Sequence, residues 1–173
     1  MKKRLIIIIL IISVIGYGFI FYNKTSDPID PNVDIDKIIL IKHKRELQLV
    51  SENEIIKTYE VSLGREPIGK KEFEGDKKTP EGIYKIEDKN PNSGYYKNLG
   101  ISYPNKNDIN NAKSIGKPPG SLIKIHGLRN GLGWIGRFHL FFDWTMGCVA
   151  MTNDEVEELY NNVKTGTVIE IRE

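Results

Sequence analysis

Residues 122–151, LIKIHGLRNGLGWIGRFHLFFDWTMGCVAM, contain the only cysteine of the chain, two of its three histidines and both of its tryptophans. At the start of this segment, apolar and polar residues alternate. Side chains two residues apart in a strand share one face, so the alternation predicts a strand with Ile123 and Ile125 in the core. Lys124 and His126 then lie on the opposite face.

The end of the same segment, residues 148–151, repeats this pattern. It predicts a second short strand with Val149 and Met151 in the core, and with Cys148 and Ala150 on the opposite face. A thiol and an imidazole, each at a strand end and each opposite the apolar face, form the arrangement that a Cys–His nucleophilic pair requires. An inert, buried cysteine is the alternative interpretation.

The pair predicts nucleophilic attack on a carbonyl group. A free cysteine has a pKa of about 8.5, so only a small fraction is thiolate at neutral pH. His126 would either take the proton of Cys148 or stay protonated and stabilise the thiolate, and it would then return a proton to the leaving amine. The oxyanion that develops needs hydrogen-bond donors, and we expect the backbone amides of Met146, Gly147 and Cys148 to supply them.

The N-terminus has the pattern of a membrane anchor. Residues 1–4 form a basic cluster, and residues 5–22 contain no charged side chain. A membrane-spanning helix needs about 20 apolar residues, and the flanking charge favours a cytoplasmic N-terminus. We therefore expect a single-pass protein of the cell membrane with an extracytoplasmic domain. A cleaved signal peptide is the alternative, but its apolar region is usually only about 7–15 residues long.

Residues 23–36 are polar and contain two prolines, which is typical of a linker, and residues 37–173 have the length of one domain. The net charge of +2, with acids and bases mixed, does not favour nucleic-acid binding. A single cysteine excludes an intrachain disulfide. Three histidines and one cysteine without metal-ligand spacing predict no metal site, and no cofactor is expected.

The domain is predicted to be mixed and mainly β, a sandwich of strands with one amphipathic helix. That helix starts at Thr152, which forms a capping box with Glu155, and its apolar spacing continues to Val163. Residues 88–120 predict a long irregular loop. Strands are expected over residues 38–41, 45–50, 54–63, 83–86, 122–126, 148–151 and 167–171.

These motifs resemble those of the L,D-transpeptidase catalytic domain family, which has the YkuD-like fold. The resemblance rests on residues 125–127 (IHG), on residues 145–148 (TMGC) and on GDKKTPEGIY at residues 75–84. It implies a β-sandwich-like mixed fold. It also implies a cysteine acyltransferase whose partners are the donor and acceptor stem peptides of peptidoglycan.

The resemblance implies a role for each residue of the site. Cys148 is the nucleophile, His126 is the general acid and base, and Gly147 with its neighbours belongs to the oxyanion hole. Thr145 takes the Ser/Thr position of the motif. In the family, a backbone carbonyl typically holds the second ring nitrogen of the histidine, so a third, acidic residue is not required. Gly127 is a further candidate for contact with the substrate.

One departure from the family concerns the binding of a carboxylate. Many members have an arginine two residues after the cysteine, where this chain has Ala150. That arginine would lie beside the nucleophile and bind a carboxylate of the substrate. Arg129, Arg137 and Lys124 are the candidates to replace it.

A second departure is the interval between the histidine and the cysteine, which is a few residues longer than usual. Its extra residues, which include Trp134, Arg137, His139 and residues 141–142, are expected to form a lip over the site. Three roles stay open for His139: substrate binding, a competing base, or a loop residue paired with Asp143. Trp144 is predicted to be a packing anchor rather than a platform for substrate.

The predicted reaction is attack by Cys148 on the bond between the third, diamino residue and the terminal D-Ala of a tetrapeptide stem. D-Ala leaves, and an amine of an acceptor stem resolves the thioester. The first alternative is hydrolysis of the same acyl-enzyme, as in an L,D-carboxypeptidase or amide hydrolase. A more distant alternative is a non-catalytic module that binds the cell wall.

Overall fold

The computed structural model describes residues 2–23 and 27–173. Helix α1 (Lys2–Tyr22) comes first, and the mainly β domain follows it. The elements of the domain are, in chain order, β1 (Lys37–Ile41), β2 (Glu46–Ser51), β3 (Glu54–Glu60), β4 (Gly82–Ser93), β5 (Tyr96–Ile101), α2 (Lys106–Ser114), β6 (Lys124–His126), a 3₁₀ segment (Gly133–Phe141), β7 (Val149–Ala150), α3 (Asn153–Asn162) and β8 (Val168–Arg172).

The described strands form one sheet in the order β3-β2-β1-β8-β4-β5-β6-β7. The pairs β1–β8 and β6–β7 are parallel, and the other pairs are antiparallel. Residues 82–85 of β4 pair with β8, whereas its later residues pair with β5, so this strand connects the two halves of the sheet. The predicted mixed, mainly β class is therefore confirmed.

The core contains the residues that the alternation placed there. Ile123 and Ile125 are at most 4% exposed, and Val149 and Met151 are at most 1% exposed. Ala150, which was expected on the open face, is instead fully buried. The reason is that the chain near residue 62 lies alongside β7, where the backbones of Ser62 and Ala150 donate to each other at 2.9 and 2.8 Å.

The irregular loop predicted over residues 88–120 is largely regular, which corrects the sequence analysis. It contains the end of β4, all of β5 and the helix α2. Asn105 caps α2 together with Asp108, and the buried carboxylate of Asp108 accepts a hydrogen bond from Tyr84 Oη at 2.9 Å. The segment KNDINNAKS has few strong helix formers, so these capping and long-range contacts explain why the pattern alone did not indicate a helix.

The membrane anchor predicted for residues 5–22 is not supported. These residues do lie in α1. Crossing a bilayer requires about 20 consecutive apolar residues, and among the described residues no helix is long and apolar enough to cross a membrane. The predicted attachment to a membrane through this helix is therefore not supported either.

Part of the predicted linker contacts the domain. Ile29 and Ile35 are partly buried and pack against the core. The backbone amide of Ile29 also donates to Glu158 Oε1 of α3 at 2.6 Å. The described part of the linker, residues 27–36, therefore lies along the domain.

Helix α3 supports the strand next to the site. The contribution of its N-terminal cap to stability can be tested by mutation. Thr152 Oγ1 accepts from the Glu155 amide at 3.3 Å, and Glu155 Oε2 accepts from the Thr152 amide at 3.0 Å. We expect Thr152→Ala to lower the free energy of unfolding by about 1 kcal/mol, because the Glu155 amide loses the hydroxyl oxygen that accepts its hydrogen bond. Urea unfolding measures this change. Thr152→Ser keeps the hydroxyl and should stay near the wild type, so equal losses for both variants would contradict the role of the cap.

Candidate active site

The pairing of β6 with β7 places the predicted nucleophile and base on neighbouring strand ends. Ile125 is opposite Val149, and His126 is opposite Ala150. Because Ile125 and Val149 both face the core, the alternation puts His126 and Cys148 together on the other face. The structure therefore brings the predicted pair to one side of two adjacent strands.

The thiol of Cys148 is partly exposed and points at a backbone carbonyl. Its Sγ donates to the carbonyl oxygen of Leu122 at 3.7 Å. Among the described residues, no hydrogen bond joins this thiol to the ring of His126. Proton transfer therefore needs either rotation of the cysteine away from Leu122 or one bridging water, which is common for sites without a bound substrate.

The imidazole of His126 is held in one tautomer. Its Nδ1 lies 2.7 Å from the carbonyl oxygen of Gly127. Because a carbonyl only accepts, Nδ1 carries the proton and Nε2 keeps the lone pair that a general base needs. The backbone carbonyl thus holds the ring as the family resemblance implies. Gly127 therefore positions the ring through its carbonyl. Contact between Gly127 and a substrate stays a prediction.

A tight turn presents Cys148. Thr145 Oγ1 donates to the Cys148 carbonyl at 2.7 Å and accepts from the Gly147 amide at 3.1 Å. Gly147 has a φ of +128°, and a Cβ there would lie 2.6 Å from the carbonyl oxygen of Lys78. Only glycine fits such a position without strain. Because the Gly147 amide is already engaged, the candidate oxyanion donors are the amides of Met146 and Cys148.

The loop behind this turn is organised by Asp76, a role that the sequence analysis did not assign. Its Oδ1 accepts from Lys71 Nζ at 2.7 Å and from the Lys78 amide at 3.0 Å. Burial alone would raise the pKa of Asp76, but the Lys71 ammonium and the backbone amides lower it overall. The loop sets the Lys78 carbonyl against Gly147. In the sequence, the motif at residues 75–84 was the feature that could have indicated this role of Asp76.

Burial favours the neutral forms of both groups of the pair. It lowers the pKa of His126, and the Gly127 carbonyl opposes this only in part. It raises the pKa of the Cys148 thiol, although the Lys124 amide and the charges of Lys124 and Lys71 act in the opposite direction. Of the two forms left open by the sequence, the structure favours a thiol beside a neutral imidazole.

His139 is buried and does not pair with Asp143, so that alternative was wrong. Asp143 pairs with Arg45 at 2.7 Å, whereas His139 Nδ1 lies 3.1 Å from Ser62 Oγ and 3.3 Å from Trp144 Nε1. An indole only donates, so Nδ1 is the acceptor and Nε2 carries the proton. Burial, with the charges of neighbouring groups, lowers the pKa of His139 to about 4, so the ring is neutral near pH 7.

The Nε2–H of His139 has no hydrogen-bond partner within the described part of the chain. His139 also lines a cavity of about 350 Å³ whose walls include Tyr95, Leu132, Phe142 and Trp144. The 3₁₀ segment supplies part of this lining, and the expected lip over the site stays a prediction. Trp144 packs against both histidines, at centroid distances of 5.7 Å and 6.3 Å.

The candidates to replace the family arginine differ in their surroundings. Arg137 already pairs with Glu60 at 2.9 Å and with Glu155 at 3.3 Å. Lys124 lies 3.7 Å from a carboxylate oxygen of Asp88. Arg129 is exposed and lines the cavity, and its guanidinium has no ion-pair partner among residues 2–23 and 27–173.

Among the residues that the structure describes, no group of three histidine, cysteine, aspartate or glutamate side chains could hold a metal ion.

The turn at Gly147 gives the first test of the site. We expect Gly147→Ala to lower the free energy of unfolding by about 1–3 kcal/mol, because the new Cβ would meet the Lys78 carbonyl in a strained backbone conformation. Gly94→Ala is the matched control, since no atom lies within 4 Å of its Cβ position. Chemical denaturation of both variants measures the difference. Equal effects would show that the close approach at Gly147 is not a constraint.

The protonation state of the pair gives a second test. We expect the rate of Cys148 alkylation by iodoacetamide to rise steadily with pH, with a midpoint above about 8.5, because burial disfavours the thiolate. The measurement is direct because Cys148 is the only cysteine. Cys148→Ala, which should not be labelled, is the control. A plateau of fast alkylation below about pH 6.5 would instead indicate a thiolate–imidazolium pair.

A family model described as the L,D-transpeptidase catalytic domain, YkuD, matches residues 35–171. YafK of Escherichia coli (strain K12) is 28% identical over 139 residues, which are 76% of this chain and 48% of YafK. The helical cell shape determining protein Pgp2 of Campylobacter jejuni has a solved structure with 25% identity and a TM-score of 0.59, covering 82% of this chain and 49% of that one.

A Mycobacterium smegmatis L,D-transpeptidase, at 14% identity and a TM-score of 0.52, shares the fold over 82% of this chain and 59% of its own. This chain spans about half the length of YafK and Pgp2. The family match covers almost the whole mainly β domain and confirms the resemblance seen in the motifs. The chain belongs to the YkuD family of L,D-transpeptidase catalytic domains.

Proposed function

We propose that this domain is a peptidoglycan L,D-transpeptidase that uses Cys148 as nucleophile and His126 as general acid and base. The observation that carries the proposal is the arrangement of the pair. His126 Nδ1 is fixed by the Gly127 carbonyl at 2.7 Å, which leaves Nε2 as the unprotonated ring nitrogen. Cys148 precedes the strand that pairs with β6, on the same face.

In the acylation step, His126 Nε2 takes the thiol proton as Sγ attacks the carbonyl between the diamino residue and the terminal D-Ala. In this proposal the amides of Met146 and Cys148 stabilise the oxyanion. When the tetrahedral intermediate collapses, the C–N bond breaks and the imidazolium gives its proton to the leaving amine. The products are free D-Ala and a thioester on Cys148.

In the second step, an amine of an acceptor stem attacks the thioester, and the proton it loses returns through His126 to the sulfur. If water takes the place of that amine, the product is a tripeptide and the enzyme is an L,D-carboxypeptidase. Product analysis separates the two reactions, because only transfer gives a cross-linked dimer. Peptidoglycan stems lie outside the cytoplasm, so the proposal places the domain on the wall side of the membrane.

Cys148→Ala should abolish D-Ala release from tetrapeptide muropeptides, and His126→Ala should slow it by about 10²–10⁴-fold. Liquid chromatography with mass spectrometry measures the released D-Ala and the stem products. His43→Ala is the matched control, since His43 is an exposed turn residue and should leave the rate unchanged.

Full D-Ala release by either active-site variant would contradict the assigned roles. No release by the wild type, together with binding of muropeptides, would support the alternative of a non-catalytic module for the cell wall.

A further inference from the structure

We propose that the cavity beside His126 binds the C-terminal residue of the donor stem, and that Arg129 pairs with the free carboxylate of that residue. This inference rests on the proposed function and names the subsite and the specificity-determining residue that it requires. It assigns to a position after β6 the carboxylate contact that many family members place two residues after the cysteine.

The chemistry of the leaving group locates the subsite. His126 has to protonate the departing amine, so the leaving residue lies on the imidazole side of the thiol. The rings of Tyr95 and Trp144 lie 4.8 Å and 5.7 Å from the ring of His126. The same two aromatic residues line the cavity. The cavity is therefore next to the place where the leaving residue must sit.

Arg129 is the candidate whose charge is available to bind the carboxylate of the leaving residue. The leaving residue ends in a carboxylate, which requires a cation in or beside the subsite. Arg137 already neutralises two glutamates, and Lys124 is not among the described residues that line the cavity. Ala150 is fully buried beneath the chain at Ser62, so the family position is not open to a ligand. Arg129 lines the cavity with an exposed side chain that pairs with no described carboxylate.

The backbone that carries Arg129 is fixed on both sides. The Leu128 amide donates to Asn153 Oδ1 at 2.9 Å. The side chain of Asn130 donates to the Ser93 carbonyl at 3.0 Å and accepts from the Tyr96 amide at 2.8 Å. A guanidinium on such a fixed backbone loses less conformational freedom on binding a carboxylate than one on a free loop.

The remaining lining suits a small apolar residue with a hydrogen-bond acceptor. Leu128, Ile135 and Phe138 add apolar surface to the aromatic walls. The buried Nε2–H of His139 has no hydrogen-bond partner among the described residues, and leaving such a donor unpaired is unfavourable. A ligand oxygen in the cavity would satisfy it. A D-alanine residue supplies both the methyl group and the carboxylate oxygens.

The test compares a tetrapeptide stem that ends in a free carboxylate with the same stem ending in a carboxamide. For the full wild-type chain, we expect kcat/KM for release of the last residue to be about 10–100-fold higher with the carboxylate. Arg129→Gln should remove this preference by lowering kcat/KM for the carboxylate stem to the value for the carboxamide stem, because the carboxylate contact is lost. Arg172→Gln, an exposed arginine on β8, is the control and should keep the preference.

Binding gives a second readout that does not depend on turnover. Calorimetry with the Cys148→Ala variant should show tighter binding of the carboxylate stem, and adding Arg129→Gln should make the two stems equal. Equal kcat/KM for both stems in the wild type, or a preference that survives Arg129→Gln, would overturn the inference while leaving the transpeptidase proposal intact. Turnover that persists in Cys148→Ala would instead overturn the proposed function.

Discussion

The parallel pairing of β6 with β7 is the constraint on which the rest of the site depends. These strands have three and two residues, and they are joined by a long connection. Their register places a residue before β7 beside the end of β6, so the thiol and the imidazole are set by backbone hydrogen bonds. Such short strands cannot hold this geometry alone, and their neighbours must hold it for them.

Two segments distant in sequence provide that support. The chain at Ser62 pairs with Ala150 along the free side of β7, and the loop folded around Asp76 sets a carbonyl against Gly147. Close packing at Gly147 leaves no space for a side chain, so the Lys78 carbonyl restricts the turn before Cys148. The residues that make the site rigid are thus mostly outside the segment that contains the nucleophile.

Sequence reasoning predicted the parts of the fold that local patterns encode. The alternation of apolar and polar residues predicted the strands around Ile125 and Val149, and the capping box at Thr152 predicted α3. The sequence patterns did not predict α2, whose buried Asp108 accepts a hydrogen bond from Tyr84. They did not predict the burial of Ala150 either. They also left open a pair between Asp143 and the nearby His139, whereas the partner of Asp143 is Arg45, far along the chain. Each of these features depends on contacts between distant segments, which one sequence does not reveal.

Burial links the electrostatics of the pair to the proposed reaction. A charged imidazolium and a thiolate would both lose hydration in this environment, so burial lowers the pKa of His126, raises the pKa of Cys148 and favours the neutral form of both groups. In the proposed reaction, charge then develops only as the proton moves and the carbonyl is attacked. In that proposal, the amides of Met146 and Cys148 act on the charge without having to reorganise. A proposed site that holds no ion pair at rest has to stabilise charge in the transition state, and a rigid turn before Cys148 would serve that purpose.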